Sequence, residues 1–336
     1  MNVSIIIPLY NKASHIARAL NSVLAQNHPD FELIVVDDGS TDDSAAIVRR
    51  YSDPRIRLVT QSNAGVSAAR NRGVQETSSD WLAFLDADDE WSPDFLETVL
   101  DLHQRFPDAA VCGTAYRQAK PNGEVRVSRF HGRLPTSGNG GRIDFFAGSP
   151  GNSPLHSSSV LIQKEALLAS GGFPVGVIYG EDHDTWLRLA LRYPIAWSPQ
   201  PKAIMHEDAE NRTDNGTYIG NYPFFASVRA YRDLSGHGAC LPPGLYPYLA
   251  RRHTGLFAAN WLAGNRRVIR EIAADCRNIR GFRCKCIAWH LLSWIPHSWV
   301  MQLWRTRRHF AGRQGPLPSF TSICRAPDAT PLREPR

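Results

Sequence analysis

Residues 81–90, WLAFLDADDE, pass from five apolar side chains to four acids within the next five positions. The apolar half has the length and composition of a strand buried on both faces. Its end is harder to place. Carboxylates crowded together at neutral pH repel one another, and burying one of them unpaired is costly. The strand therefore has to end beside a metal ion, beside an arginine, or in open water.

The same plan recurs on both sides of this stretch. VSIIIPLYN (3–11) is an apolar, β-rich run stopped by Pro8, and FELIVVDDGS (31–40) is a second run that also ends in acids. Between them, residues 12–27 place Ile16, Leu20, Val23 and Leu24 at helical spacing. Residues 40–51 open with Ser40 and Asp43 in the relation of a capping box and continue as a helix. RIRLVTQ (55–61) reads as a strand and AGVSAARNRGVQ (64–75) as a helix. Ser92-Pro93 offers a cap and a first-turn position to the helix over 93–106. Strands alternating with helices predict a parallel sheet covered by helices on both faces. Ligands of such sheets bind at the carboxyl ends of the strands, where the acids at 37–38 and 86–89 both fall.

The alternation then loosens. Residues 109–119 and 123–130 form a strand pair around the Pro121-Asn122-Gly123 turn, and 131–155, rich in Gly, Ser, Pro and Asn, reads as a long surface loop. SSSVLIQKEALLASGGF (157–173) is strand, helix and glycine stop. EDHDTWLRLALRY (181–193) is a helix whose acidic first turn suits its positive end.

Composition sets the class. The 336 residues are 43% hydrophobic and 21% charged, as in ordinary globular proteins. The net charge of +6 is divided unevenly. Residues 240–336 hold 16 Lys and Arg against 4 Asp and Glu, while the remaining 239 residues hold 22 against 28. A mildly acidic body thus carries a basic tail, and no nucleic-acid-binding module accompanies the charge. The six cysteines are scattered. Cys284 and Cys286 are too close for a zinc pair, so free thiols in a reducing compartment are expected. No signal peptide and no spanning helix is expected.

The chemistry-bearing residues have readings of their own. Asp38 can accept from a base N–H or a ribose hydroxyl, or merely cap the next helix. No G-x-G-x-x-G follows the first strand, which argues against hydride transfer. Asp86 and Asp88 flank one residue, so in an extended segment both point the same way and can share a hard divalent ion such as Mg²⁺ or Mn²⁺. The alternative is a solvated acidic turn. One of Glu181 and Asp182 serves as a general base, or both complement the helix dipole. His206 is a ligand or a packing residue.

In this order and spacing, VSIIIPLYN, VVDDGSTDDS, NAGVSAARNRG, FLDADDEW and GEDHDTWLRLA resemble the family-2 glycosyltransferases, over residues 3 to about 210. The resemblance implies the GT-A fold, an α/β architecture whose doubly wound mixed sheet has a nucleotide-binding half and an acceptor half. It implies transfer of a sugar from a nucleotide diphosphate to an acceptor hydroxyl with inversion. By the same resemblance Pro8, Tyr10 and Asn11 line the nucleoside and Asp38 contacts the base. Asn63, Gly65 and Arg70 close over the nucleotide-sugar, and Glu181 adjoins it. Asp86 and Asp88 match the family's D-x-D, with Asp86 nearer the ribose and Asp88 on the metal. Asp182 matches the acceptor's base, and His206 lies where a further metal or phosphate contact is found.

The expected organisation is a catalytic domain over 1–215, a helical, basic, Trp-rich region over 216–312 and a disordered tail over 313–336. Trp289, Trp294, Trp299 and Trp304, flanked by Arg280, Arg283, Lys285, Arg305, Arg307, Arg308 and Arg313, suit the headgroup boundary of an anionic membrane, or packing on the catalytic domain. The expectation is a cytoplasmic enzyme, peripheral on the inner membrane face, with a glycan or lipid-linked acceptor and no nucleic-acid partner. The rival readings are a nucleotidyltransferase, for which PLYNKASH lacks the glycines, and a nucleotide-sugar-binding scaffold without turnover.

Overall fold

The apolar run after Asn2 becomes β1 (Val3–Leu9), and its alternating side chains face two different layers. Val3, Ile5, Ile7 and Leu9 share one core with Ile16, Leu20 and Val23 of α1 (Ile16–Leu24) and with Leu96 and Val99 further along the chain. On the other face, Ile34 and Val36 of β2 (Phe31–Asp37) pack on Ala69. Ile6 lies so close to Gly73 that a Cβ there would come within 2.4 Å of it. Only a residue without a side chain lets that helix rest on the strand.

The computed structural model describes residues 1–130, 134–136, 138–147, 152–177, 180–209, 223–235 and 241–276, together with 287, 288, 291, 294 and 299. After β2 come α2 (Ser44–Val48), β3 (Ile56–Thr60), α3 (Val66–Glu76) and β4 (Trp81–Phe84). The short β5 (Glu90–Trp91) leads into α4 (Phe95–Arg105), β6 (Val111–Ala119), β7 (Val125–Val127) and β8 (Gly141–Ile143). Then follow β9 (Val160–Gln163), α5 (Lys164–Ala169), α6 (Glu181–Ala190) and β10 (Ile195–His206). The helices α7 (Phe224–Ser235), α8 (Leu245–Leu262) and α9 (Arg266–Cys276) come last.

The sheet order is β3-β2-β1-β4-β9-β6-β10-β5, with β7 on β6 and β8 on β10. The first four strands are parallel, β9 is antiparallel to both its neighbours, and β6 and β10 are parallel again. This is the doubly wound mixed sheet expected of the GT-A fold.

Several local expectations are corrected. Pro8 does not stop β1 but lies inside it, in register with Val36. Odd residues of β1 bond toward β2 and even ones toward β4, whose pairing ends at Ile6, so Pro8 has no ladder bond to lose. Ser40 and Asp43 form no capping box. Ser40 Oγ accepts from the Asn11 N–H, and Asp42 takes the Ser44 N–H instead. Ser92 does not cap α4 directly: a turn intervenes, and Asp94, at the cap, is ion-paired with Lys202. The stretch 131–155 is not wholly loop, since β8 pairs with Ile195–Trp197 of β10. A three-residue edge strand leaves no visible period in a Gly-rich sequence.

Two compact units divide the chain, one of residues 1–211 and 223–245, the other of 212–222 and 246–336. The expected boundary at 215 lies outside the described residues. In the first unit α7 is tied to α6 by Ser227, whose hydroxyl donates to Asp184 at 2.7 Å. In the second, α9 buries Val268, Ile269, Ile272 and Ala273 and turns Arg267 outward. Ile287, Leu291, Trp294 and Trp299 are each exposed by more than 60%. The Arg270 guanidinium lies 5.4 Å from the Trp294 ring centre. Trp289, Trp304 and the seven flanking cations lie outside the described residues, as does the tail over 313–336. No described helix is long and apolar enough to cross a membrane. Cys112 is buried in β6, where burial pushes its thiol up to about 12 and leaves it unreactive.

Candidate active site

Each acid after β4 has a partner of its own. The Asp89 N–H donates to the Asp86 carbonyl and closes a turn, so residues 86–88 are not extended and Asp86 and Asp88 are held by different cations. Arg70 of α3 donates to Asp86 Oδ1 at 2.8 Å, and Lys12 lies 2.6 Å from Asp88 Oδ2. Asp89 accepts from the Ser158 hydroxyl at 2.5 Å and from the His206 N–H at 3.1 Å. Glu90 meets the His206 imidazole at 3.0 Å. Arg18 adds a bond to the Asp88 carbonyl and an ion pair to Asp208 at 3.1 Å.

Arg70 is the pivot. It is 3% exposed, stacks near the Phe173 ring, and reaches Glu181 Oε1 at 3.1 Å as well as Asp86. Burial works against its charge, but Asp86 and Glu181, and then Asp182, outweigh burial and hold it above its ordinary value. One guanidinium thus joins the turn after β4, 16 positions beyond Arg70, to the start of α6, 111 positions beyond it.

At that start, Gly180 adopts a left-handed φ of 78° before Glu181 and Asp182. The two acids are pushed in opposite directions. Burial first, then the charge of Asp182, raise the Glu181 carboxyl to about 7 against the pull of Arg70. Burial also opposes ionisation of Asp182. The imidazole of His183, the charge of Arg70 and the His183 N–H at 2.6 Å together hold it below the usual range. Carboxyls separated in this way are the pattern of an acid–base site.

A pH effect on stability follows. Folded Glu181 binds its proton more tightly than the unfolded chain does. Its contribution is complete below the unfolded value near 4.5 and is lost as pH rises through about 7. Thermal melts of the wild type and Glu181→Gln should coincide below pH 4.5, separate as pH rises from 4.5 to about 7 and stay apart above it, with the wild type the less stable. A difference that is constant with pH would remove Glu181 as the titrating group.

Asp86, Asp89 and His156 each place a ligand atom within 4.8 Å of the other two. Asp89 is 4% exposed, and burial, followed by the charges of Asp88 and Asp86, pushes its carboxyl well above the usual range. Such a group takes up a proton or a cation. Its oxygens, with those of Asp86, suit a hard divalent ion, whereas Asp88, expected as the direct ligand, lies outside this group and is paired with Lys12. His156 fits less well as a ligand. Burial keeps its imidazole neutral, and Nδ1 already accepts from the Ser158 N–H at 3.2 Å. In that tautomer Nε2 carries the proton and donates.

The residues expected around the nucleotide surround the same strand ends. Tyr10 is 42% exposed just past β1, and Pro8 is buried. Asn11 has a left-handed φ of 49°, and its Oδ1 accepts from the Thr41 N–H at 2.8 Å. Asp38 is 3% exposed and faces the 61–65 loop. One oxygen accepts from Gln61 and Ala64, the other from the Gly65 N–H at 2.8 Å. Gly39, at φ 76°, makes room for that loop, because a Cβ there would lie 2.9 Å from the Asn63 nitrogen. Asn63 and Gly65 are exposed on the loop. Lys12, Arg18, Asp89, His156 and Ser158 belong to the cluster without having been singled out. Asp89 was visible within DADD, while His156 and Ser158 follow a segment without periodicity.

Comparison with known proteins fits this geometry. Residues 4–167 match a family described as Glycosyl transferase family 2. An uncharacterized glycosyltransferase of Nostoc sp. is 41% identical over 107 residues, which are 31% of this chain and 33% of that protein. The putative teichuronic acid biosynthesis glycosyltransferase TuaG of Bacillus subtilis is 42% identical over 102 residues, 30% of this chain and 40% of TuaG. The matched segments thus span well under half of these relatives. The crystal structure of S. aureus TarS 1–349 in complex with UDP-GlcNAc superposes with a TM-score of 0.64 at 19% identity, over 91% of this chain and 92% of that one. The likeness is one of fold.

Proposed function

The chain belongs, through residues 4–167, to glycosyl transferase family 2, and from that premise we propose that it transfers a sugar from a nucleotide diphosphate to an acceptor hydroxyl with inversion. The observation that carries the reading is the Asp86–Arg70–Glu181 bridge, which brings the ionised Asp182 beside the acidic turn at the carboxyl edge of the sheet.

The donor lies over the ends of β1, β2 and β4. Tyr10 and Asn11 flank the nucleoside, Asp38 supports the loop carrying Asn63 and Gly65, and Asp86 lies toward the ribose. Complexes of TarS with UDP-GlcNAc and with UDP support a nucleotide donor. Asp88, with Asp86, Asp89 and His206 nearby, would hold Mg²⁺ or Mn²⁺. When bound, that ion neutralises charge developing on the departing diphosphate. Asp182 accepts the acceptor hydroxyl's proton while the oxygen attacks from the face opposite the leaving group. One carboxylate suffices for such a direct displacement. His156, as an Nε2–H donor, steadies the carboxylates around it.

Calorimetry with UDP, with and without EDTA, and turnover with a panel of nucleotide-sugars test the reading. Affinity should fall when the metal is removed, and Asp88→Ala should abolish that dependence. Equal affinity in all cases would sink the metal assignment, and absence of turnover with every donor would favour the scaffold reading.

The acceptor we propose is a surface glycan or lipid-linked oligosaccharide, a reading supported by the similarity to TuaG. The exposed Ile287, Leu291, Trp294 and Trp299, in a segment rich in arginine, suit shallow insertion into an anionic leaflet on the cytoplasmic side. The full chain should float with anionic vesicles, less at high salt as the cations are screened. Trp294→Ser with Trp299→Ser should float severalfold less. Equal flotation of both proteins, or none with the wild type, would leave the packing reading.

A further inference from the structure

Lys12 leaves β1 at the ligand edge of the sheet, and its main chain is fixed there. Its N–H donates to Ser44 Oγ at 2.8 Å. The ammonium reaches Asp88 Oδ2 at 2.6 Å, with the two side chains only 12% and 15% exposed. At that distance the contact is a charge-assisted hydrogen bond, partly shielded from water. The carboxylate assigned to the divalent ion therefore already has a cation of its own.

The two cations that hold the acidic turn differ in how readily they can leave. Arg70 is 3% exposed and bridges Asp86 and Glu181. Withdrawing it would strand two carboxylates. Among the described residues Lys12 is ion-paired with Asp88 alone, and it has a flexible four-carbon stem ending in a point charge. Resting on the metal reading above, we propose that Lys12 is an internal stand-in for the divalent ion. It holds Asp88 while no ion is bound and competes with the ion for that carboxylate. Once displaced, it turns its ammonium to the donor's diphosphate.

An ion arriving at Asp88 Oδ2 meets the ammonium at contact distance and repels it. A diphosphate bound to the same ion would then offer the displaced ammonium a negative charge. Free metal is consequently held weakly and metal together with diphosphate strongly, so each raises the other's affinity, and Lys12 supplies part of that coupling. The enzyme would thereby be charged with metal mainly as the metal–nucleotide complex.

The test is Mn²⁺ binding to the full chain, followed by electron paramagnetic resonance of the free ion, with and without UDP. Lys12→Met should bind Mn²⁺ alone about tenfold tighter than the wild type, and UDP should raise its Mn²⁺ affinity by a smaller factor. Lys12→Arg, which keeps the charge, should resemble the wild type. Should methionine disturb the fold, seen as a lowered melting temperature, Lys12→Gln gives the same comparison. If the wild type takes up Mn²⁺ with UDP but the neutral variants bind the ion alone no tighter, the stand-in role is overturned and the metal reading stands. If no protein binds Mn²⁺ even with UDP, both fall.

Discussion

Asp182→Asn should lower sugar transfer by about a hundredfold or more, the scale of losing a general base, while donor affinity stays near that of the wild type. The amide keeps the shape of the carboxylate but cannot accept the acceptor's proton. Asp182 is suited to this role because its surroundings keep it ionised although it is buried. His183 and Arg70 lower its proton affinity, and the His183 N–H bonds one oxygen at 2.6 Å. Glu181, next to it, is raised to about 7 and pinned by Arg70, so it is the poorer candidate. Single-turnover transfer separates this step from donor binding. A loss of affinity with unchanged turnover of bound donor would make Asp182 a binding residue. If Glu181→Gln instead caused the loss in transfer, the roles of the two acids would be exchanged.

Arg70→Met should destabilise the folded chain by about 3–5 kcal/mol, the range for removing one partner of a buried ion pair. Arg70 is nearly inaccessible and holds Asp86 at 2.8 Å and Glu181 at 3.1 Å. Without it, one carboxyl has to take a proton or draw water into the site. Urea unfolding measures the loss through the midpoint at unchanged slope. Adding Glu181→Gln to Arg70→Met should recover part of it, because one stranded carboxylate is gone. If Arg70→Met unfolds at the wild-type midpoint, the bridge does not hold the two halves of the site together. Activity should fall in either variant, so stability is the readout that distinguishes the bridge.

The strand-helix alternation over the first hundred residues was legible because each apolar run carries its own period and its own stop. The acidic strand ends were legible for the same reason: four acids after five apolar residues are conspicuous in one dimension. Even the five spaced stretches that resemble family 2 are local signals. What stayed hidden depends on contacts between distant parts of the chain. DADD did not say that its acids part company, Asp86 to Arg70, Asp88 to Lys12 and Asp89 to Ser158, because those partners lie 16, 76 and 69 residues away. Pro8 read as a stop because the sequence does not show that β4 ends two residues earlier in register. Asp38 read as a ligand for a base, yet its oxygens hold a loop whose N–H groups come from 26 and 27 residues downstream. Glu181 and Asp182 are neighbours with the same chemistry in the sequence. Only burial and the placement of Arg70 and His183 drive one toward the proton and the other away from it. The sequence determined that acids would gather at the edge of the sheet. Tertiary structure decided which charge each would meet, because electrostatic interactions act through space and depend on burial, neither of which a local pattern records.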